Sequence, residues 1–182
     1  MESQPPLSLL SNARIHIGFM PDAAALNRQI LEAYLSLREQ DFLRRSHHFH
    51  GRYENLYLER ERIPAIDRVL AQAECYAQSI LAPGAQKLRS GFWINDMGPG
   101  AITTEHNHDE DDEMLSAVYY VQAQQDAGDL VIVEPYSRTL IAPQAGMMVF
   151  FAPSVMHSVG QNRSQQRRIS IGMNFGPAPE ST

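Results

Sequence analysis

The chain has 182 residues, 43% of them hydrophobic, and carries a formal net charge of −6 with one short basic cluster, LRRSHHFHGR. A chain of this length buries about 70% of the surface its unfolded form exposes, so a hydrophobic core can carry the fold. The single cysteine, Cys75, allows no disulfide within the chain and reads as a small buried hydrophobe of a reducing compartment. The charge argues against a nucleic-acid surface, no apolar run approaches the ~20 residues that span a bilayer, and the opening MESQPPLSLL lacks the pattern of a secretory leader. The expectation is a cytoplasmic protein with a small-molecule substrate, no nucleic-acid partner and no membrane contact.

Residues 1–12 read as a polar, Pro-containing tail or extended arm. ARIHIGF follows as a short strand. From Pro21, with Asp22 as a cap, Leu26, Ile30, Leu31, Tyr34, Leu35 and Leu37 recur at helical spacing, predicting a first helix up to about Arg44. HGRYENLYLERERIP reads as a polar, aromatic-bearing connection packed over the mouth of the later core, with Arg52, Glu54 and Asn55 as candidate substrate contacts. His47, His48 and His50 sit in or beside it, and His48 and His50 would share a face of an extended segment. Pro64 opens a second amphipathic helix carrying Ile66, Val69, Leu70, Ala73, Tyr76, Ala77 and Ile80, closed by Pro83 and Gly84.

Beyond Pro83, short β-rich runs recur about every ten residues between Pro and Gly: KLRSGFWIND, AITTEHNH, MLSAVYYVQA, AGDLVIVEP, RTLIAP, GMMVFFAP, MHSVGQN and RRISIGMNF. The predicted organisation is one domain over 1–182. Residues 1–84 form a strand and helical buttress, 85–176 an antiparallel sandwich or barrel of jelly-roll or cupin type, and 177–182 a tail.

HNH, residues 106–108, is followed by DEDDE. In an extended strand His106 and His108 project to one side, so two imidazoles can share an ion. His157 lies fifty-one residues later, where a returning strand can bring a third imidazole beside them, leaving open positions on a divalent metal. An alternative register pairs His108 with Glu110, and the bland alternative is a solvated loop; DEDDE is too charged for a core and lies at a rim or on plain surface. In RRISIGMNF, alternation puts Arg168, Ser170, Gly172 and Asn174 on one face and Arg167, Ile169, Ile171 and Met173 on the other. An arginine fork with a serine two residues on can clamp a carboxylate. Trp93 and Asn95 share a face of FWIND.

Taken in order, FWINDMGPG, HNH, LSAVYYV, GDLVIVEP, PQAGMMVFFAPSVMHSV and RRISIGMNF resemble the Fe(II)- and 2-oxoglutarate-dependent oxygenases, specifically their small H-x-H branch. The resemblance covers about residues 90–176. It implies a mainly β protein with a double-stranded β-helix core, an oxygenase that hydroxylates a small-molecule or amino-acid-like substrate using O2, and release of succinate and CO2. It also implies His106, His108 and His157 as metal ligands, and Arg168 and Ser170 with Tyr119 or Tyr120 around 2-oxoglutarate. Asn95, Trp93, Arg52, Asn55 and Asn174 are then candidate substrate contacts. The wider superfamily has a carboxylate where this chain has His108, and a neutral third ligand leaves Fe(II) its full charge. Two further readings stay open: a cupin-like three-His dioxygenase whose substrate binds the metal directly, and a non-catalytic binding sandwich. Exposed strand edges would permit a homodimer.

Overall fold

The computed structural model describes residues 6–10, 15–49, 51–81, 87–109 and 112–179. Two antiparallel sheets face each other. The larger has the order β1 (Ser8–Leu10), β2 (Ile15–Phe19), β10 (Met147–Phe151), β7 (Leu115–Gln122), β12 (Arg168–Pro177), β5 (Leu88–Met97), β4 (Arg52–Leu58) and β3 (Phe42–Phe49). The smaller runs β6 (Thr103–His106), β11 (Met156–Val159), β8 (Leu130–Glu134) and β9 (Ser137–Ile141). Helices α1 (Ala23–Ser36) and α2 (Ile66–Leu81) cover the outer face of the larger sheet. This is the helix-buttressed, double-stranded β-helix architecture expected from the sequence.

The alternation of β7 and β12 builds both layers at once. Leu115, Ala117, Tyr119 and Val121, with Ile169, Ile171, Met173 and Phe175, join Leu26, Ile30, Val69, Ala73 and Tyr76 in the core beneath the helices. Their neighbours turn the other way: Tyr120 packs with Leu130, Ile132, Met147, Val149 and Phe151 between the sheets. Each fully buried aliphatic side chain stabilises the fold by about 1.5–3 kcal/mol. Helices of 14 and 16 residues are marginal alone, so this burial is what holds them. The inter-sheet core does not extend along the whole of β12. Arg168, Ser170 and Gly172 face a cavity between the sheets, and that cavity is the candidate site.

Several local expectations need correction. The first helix ends at Ser36; Leu37 is already extended, Glu39–Asp41 form a single 3-10 turn, and the backbone N–H of Arg38 donates to Asp41 at 2.8 Å. Phe42–Phe49 and Arg52–Leu58, read as the tail of a helix and a connection, form a hairpin that extends the larger sheet. As the outermost strand, β3 buries neither face fully, so it carries no apolar alternation to read. Asp22 occupies the cap position of α1 at φ 51° and makes no side-chain cap bond. Cys75 is exposed on α2. Of the supposed N-terminal tail, Ser8–Leu10 pairs with β2, while 1–5 and 11–14 lie outside the described residues. So do Pro83 and Gly84.

Candidate active site

Three histidines meet at the smaller sheet. β6 ends at His106, which lies directly opposite His157 of β11 in the ladder. His108 stands two residues past the strand end, where its backbone N–H donates to Pro153 at 2.9 Å. The i, i+2 argument therefore brings the two rings together although only the first lies within a strand. Ring centroids are 4.3 Å apart for His106 and His157, 5.1 Å for His106 and His108, and 5.0 Å for His108 and His157. One ligand atom from each lies within 4.8 Å of the others, so the set can hold one metal ion.

The strand backbone prepares two of these rings. His106 Nδ1 is 2.9 Å from the Thr104 carbonyl and His157 Nδ1 is 3.0 Å from the Val155 carbonyl, each two residues upstream. A carbonyl can only accept, so Nδ1 carries the proton and Nε2 keeps the lone pair that a metal needs. Burial, reinforced by the neighbouring imidazoles of His157, His106 and His47, pulls His108 down to about 3. Burial and His106 pull His157 down to about 4, against the opposing pull of the Val155 bond. Both rings are neutral at pH 7, the state that ligates.

The larger sheet supplies the opposite chemistry. Arg168 is 2% exposed, and among the described residues it forms no ion pair. Its Nη1 donates to the Met97 thioether at 2.9 Å, its Nε has no partner, and its guanidinium carbon lies 5.0 Å from the Tyr120 ring centre. The buried Tyr120 hydroxyl also lacks a partner. Burial pushes the Tyr120 phenol up, and the Arg168 charge pulls it part of the way back. Ser170, equally buried, lies one step along β12 on the same face, opposite both Asn95 and Tyr120. A buried, uncompensated guanidinium costs several kcal/mol. The arrangement is one that a carboxylate would complete.

Residues 92–176 match the family model described as the 2OG-Fe(II) oxygenase superfamily. This part of the chain is similar to that superfamily. No curated protein matches the chain by sequence. Among solved structures, a Pseudomonas putida prolyl-4-hydroxylase superposes with a TM-score of 0.64 at 21% identity, covering 90% of this chain and 92% of that one. A Trichoplax adhaerens prolyl hydroxylase, solved with a hypoxia inducible factor peptide, gives 0.69 at 13%, covering 91% and 84%. The α-ketoglutarate-dependent epimerase SnoN of nogalamycin biosynthesis gives 0.68 at 15%, covering 89% and 76%. At such identities these likenesses speak for the fold alone.

Fe(II) and 2-oxoglutarate are the cofactors of the 2OG-Fe(II) oxygenases, and the donors present suit both. Three imidazoles suit a divalent first-row metal, and the unpaired guanidinium suits a dicarboxylate; Tyr120 packs against that guanidinium and is not itself part of the cavity lining. The cavity between them has a volume of about 580 Å³, including space open to solvent. Trp93 and Asn95 of β5 line it as the alternation of FWIND predicts, and the Trp93 ring lies 5.4 Å from His108. Gly172 faces Trp93 across the strands. A Cβ there would stand 2.4 Å from the indole, so only glycine admits the ring at this wall.

The other candidates divide. Asn55 and Glu54 line the cavity, but Arg52 does not; it donates to Glu54 at 3.0 Å and to the Ile102 carbonyl at 2.7 Å, tying β4 to the segment before β6. Tyr119 is a correction: it faces the helices, where its hydroxyl donates to Asn27. Asn174 keeps the face of Arg168 but accepts from Ser116 at 2.9 Å, beyond the cavity lining. Glu110 and His50 lie outside the described residues. Asp109 and Asp112 are exposed, and Asp112 pairs with Arg89. His48 packs its ring 4.8 Å from Tyr53. His47, which the sequence placed with His48 and His50 beside a connection over the mouth and gave no role, lines the cavity 6.5 Å from the His106 ring.

Proposed function

We propose that the chain is a non-haem Fe(II)- and 2-oxoglutarate-dependent dioxygenase that hydroxylates a small-molecule or amino-acid-like substrate with release of succinate and CO2. His106, His108 and His157 hold the metal through Nε2 of His106 and His157 and one nitrogen of His108. Arg168 takes the distal carboxylate of 2-oxoglutarate, with the Ser170 hydroxyl as a further donor. Fe(II) with 2-oxoglutarate supplies the oxidising power by activating O2.

The chain's own residues bind, orient and exclude water. Arg168 offers a planar fork whose charge is undiminished by any protein carboxylate, so a ligand carboxylate meets it at full strength. Tyr120, held protonated by burial, packs its ring against the Arg168 guanidinium. Trp93 and Phe151 flank the histidines, the latter with its ring 4.7 Å from His157, and keep water from that side of the ligand set. The observation that carries this reading is the buried, unpaired Arg168 lining the same cavity as three converging imidazoles. A three-His enzyme whose substrate meets the metal directly has no use for that cation.

Anaerobic titration of the Fe(II)-loaded protein with 2-oxoglutarate tests it. A saturable visible charge-transfer band that disappears in Arg168→Ala supports the reading. Bound Fe(II) with no band would shift the assignment to the three-His class.

A further inference from the structure

β12 opens on Arg168 and β5 ends on Met97, and the antiparallel register sets these two residues directly opposite each other. Side chains opposed in this way share one face of the sheet with their Cβ atoms about 4.5–5.5 Å apart, so the contact between them is built into the strand pairing. Both are buried, Met97 at 1% and Arg168 at 2% exposure, and both line the cavity. Arg168 Nη1 donates to Met97 Sδ at 2.9 Å.

The same sulfur takes a second donor from the other sheet. Thr103, the first residue of β6, donates to Met97 Sδ from Oγ1 at 3.8 Å. Arg52 Nη2 approaches that Oγ1 at 3.4 Å, and because a guanidinium only donates, the Thr103 oxygen accepts there and its own proton is left for the sulfur. Arg52 is itself paired with Glu54 at 3.0 Å. A thioether has lone pairs and no proton, so Met97 accepts from both sides. Three residues beyond Thr103, β6 ends at His106. The sulfur therefore links the cation of the larger sheet to the strand that carries one of the three imidazoles, across a gap that no strand pairing bridges among the described residues. The kind of acceptor matters as much as its place. A carboxylate at this position would neutralise the guanidinium and compete with an incoming anion, and an aliphatic side chain would leave Nη1 unheld. A thioether is neutral and a weak acceptor, so it fixes the direction of the fork and leaves the charge to the ligand.

We propose that Met97 is a positioning residue for the cosubstrate: its thioether, anchored by Thr103, holds the Arg168 guanidinium in the orientation that receives the ligand carboxylate. The inference rests on the oxygenase reading of the cavity and adds to it the residue that aims the clamp.

Two variants of similar volume test it. Met97→Leu removes the acceptor and keeps the packing, while Met97→Gln puts an amide oxygen in place of the sulfur. Anaerobic titration of the Fe(II)-loaded proteins with 2-oxoglutarate gives the affinities. Met97→Leu should bind about 3–10-fold more weakly, because the guanidinium must then be ordered at the moment of binding, and Met97→Gln should return to within about twofold of the unchanged protein. A residue that only fills space would give the opposite order, so a leucine variant that binds as tightly as the unchanged protein, or a glutamine variant that fails to recover, overturns the proposal. Arginine-selective 15N NMR of the metal-free proteins supplies the second readout, with Arg168→Met used to assign the signals. In the unchanged protein Nη1 and Nη2 of Arg168 should appear as separate resonances, because the bond to sulfur opposes rotation about Nε–Cζ; in Met97→Leu they should broaden and merge. Equal separation in both proteins overturns the proposal. If Arg168→Ala still binds 2-oxoglutarate, the oxygenase reading of the clamp fails, and the NMR comparison judges Met97 by itself.

Discussion

Replacing Arg168 with methionine should stabilise the ligand-free protein while removing its affinity for 2-oxoglutarate. The guanidinium is 2% exposed, its Nε is unpartnered and its Nη1 rests on a thioether, so the fold carries an uncompensated buried charge. Exchanging buried ionic groups for apolar ones of similar volume is worth about 1–4 kcal/mol. Loss of the contact with the Tyr120 ring at 5.0 Å subtracts about 0.5–2 kcal/mol. The midpoints of the two ranges leave a net gain of about 1 kcal/mol, which raises the melting temperature of a chain of this size by about 2–4 °C. The ligand reverses the order. At a hundredfold excess over Kd, 2-oxoglutarate should stabilise the unchanged protein by about 2.7 kcal/mol and leave Arg168→Met unmoved. Losing two charge-assisted hydrogen bonds at about 1.5–2 kcal/mol each weakens binding 10²–10³-fold. Thermal melts of both proteins with and without 2-oxoglutarate, beside calorimetric titration, measure all four quantities. A ligand-free variant that melts several degrees lower and still binds 2-oxoglutarate would refute the reasoning, because Arg168 would then be structural.

His157→Ala should abolish stoichiometric binding of Fe(II), measured by metal analysis after anaerobic gel filtration, since it removes the ring facing His106 across the ladder. Gly172→Ala places a methyl group in the Trp93 indole; overpacking of this kind costs about 1–3 kcal/mol, and because Trp93 is the single tryptophan its emission spectrum reports the displacement directly. The effect of alkali isolates Tyr119, whose phenol is pushed up from 10.0 to about 12 by burial, against the opposing pulls of the Asn27 bond and Arg68. Its folded pKa is raised, so its contribution is complete below pH 10 and is lost as the unfolded chain ionises first between pH 10 and 12. Urea unfolding across that window should cost the unchanged protein up to about 2.7 kcal/mol more than Tyr119→Phe, and equal losses in the two would disprove the assignment.

Periodicity made the layers legible and left the hairpin obscure. Ile169, Ile171 and Met173 alternate with Arg168, Ser170 and Gly172 so regularly that the two faces of β12 could be assigned from residue order, and the structure places them so. The same rule distinguishes Tyr119 from Tyr120 only once the direction of β7 is known, because both residues are buried and both faces of that strand are apolar. β3 offered nothing comparable: FLRRSHHF has polar residues on both faces because it closes the sheet at an edge, and helix periodicity from α1 ran on into it. His47 takes φ 57° inside β3, a local backbone event that no hydrophobic periodicity announces. The tertiary network of Ser46, Asn55 and Asn95 that engages the ring exists only after β3, β4 and β5 have paired.

The two halves of the candidate site belong to different sheets, and this bears on how the fold controls the chemistry. His106 and His157 stand on adjacent strands of the smaller sheet, where backbone pairing fixes their spacing. Arg168, Ser170 and Tyr120 stand on adjacent strands of the larger one, equally fixed among themselves. Among the described residues, no hydrogen-bonded strand pair joins one sheet to the other. The separation between imidazoles and guanidinium is therefore set by the side chains between the sheets, chiefly Val149, Phe151, Leu130 and Ile132. Protein interiors pack like crystals and transmit strain, so a change of one methylene there moves one sheet relative to the other. Phe151 is the closest link, packed in that cluster and against the His157 ring at 4.7 Å. A bidentate ligand spanning both sheets would read that spacing directly, which makes the inter-sheet core as much a part of the cosubstrate site as the residues that touch it.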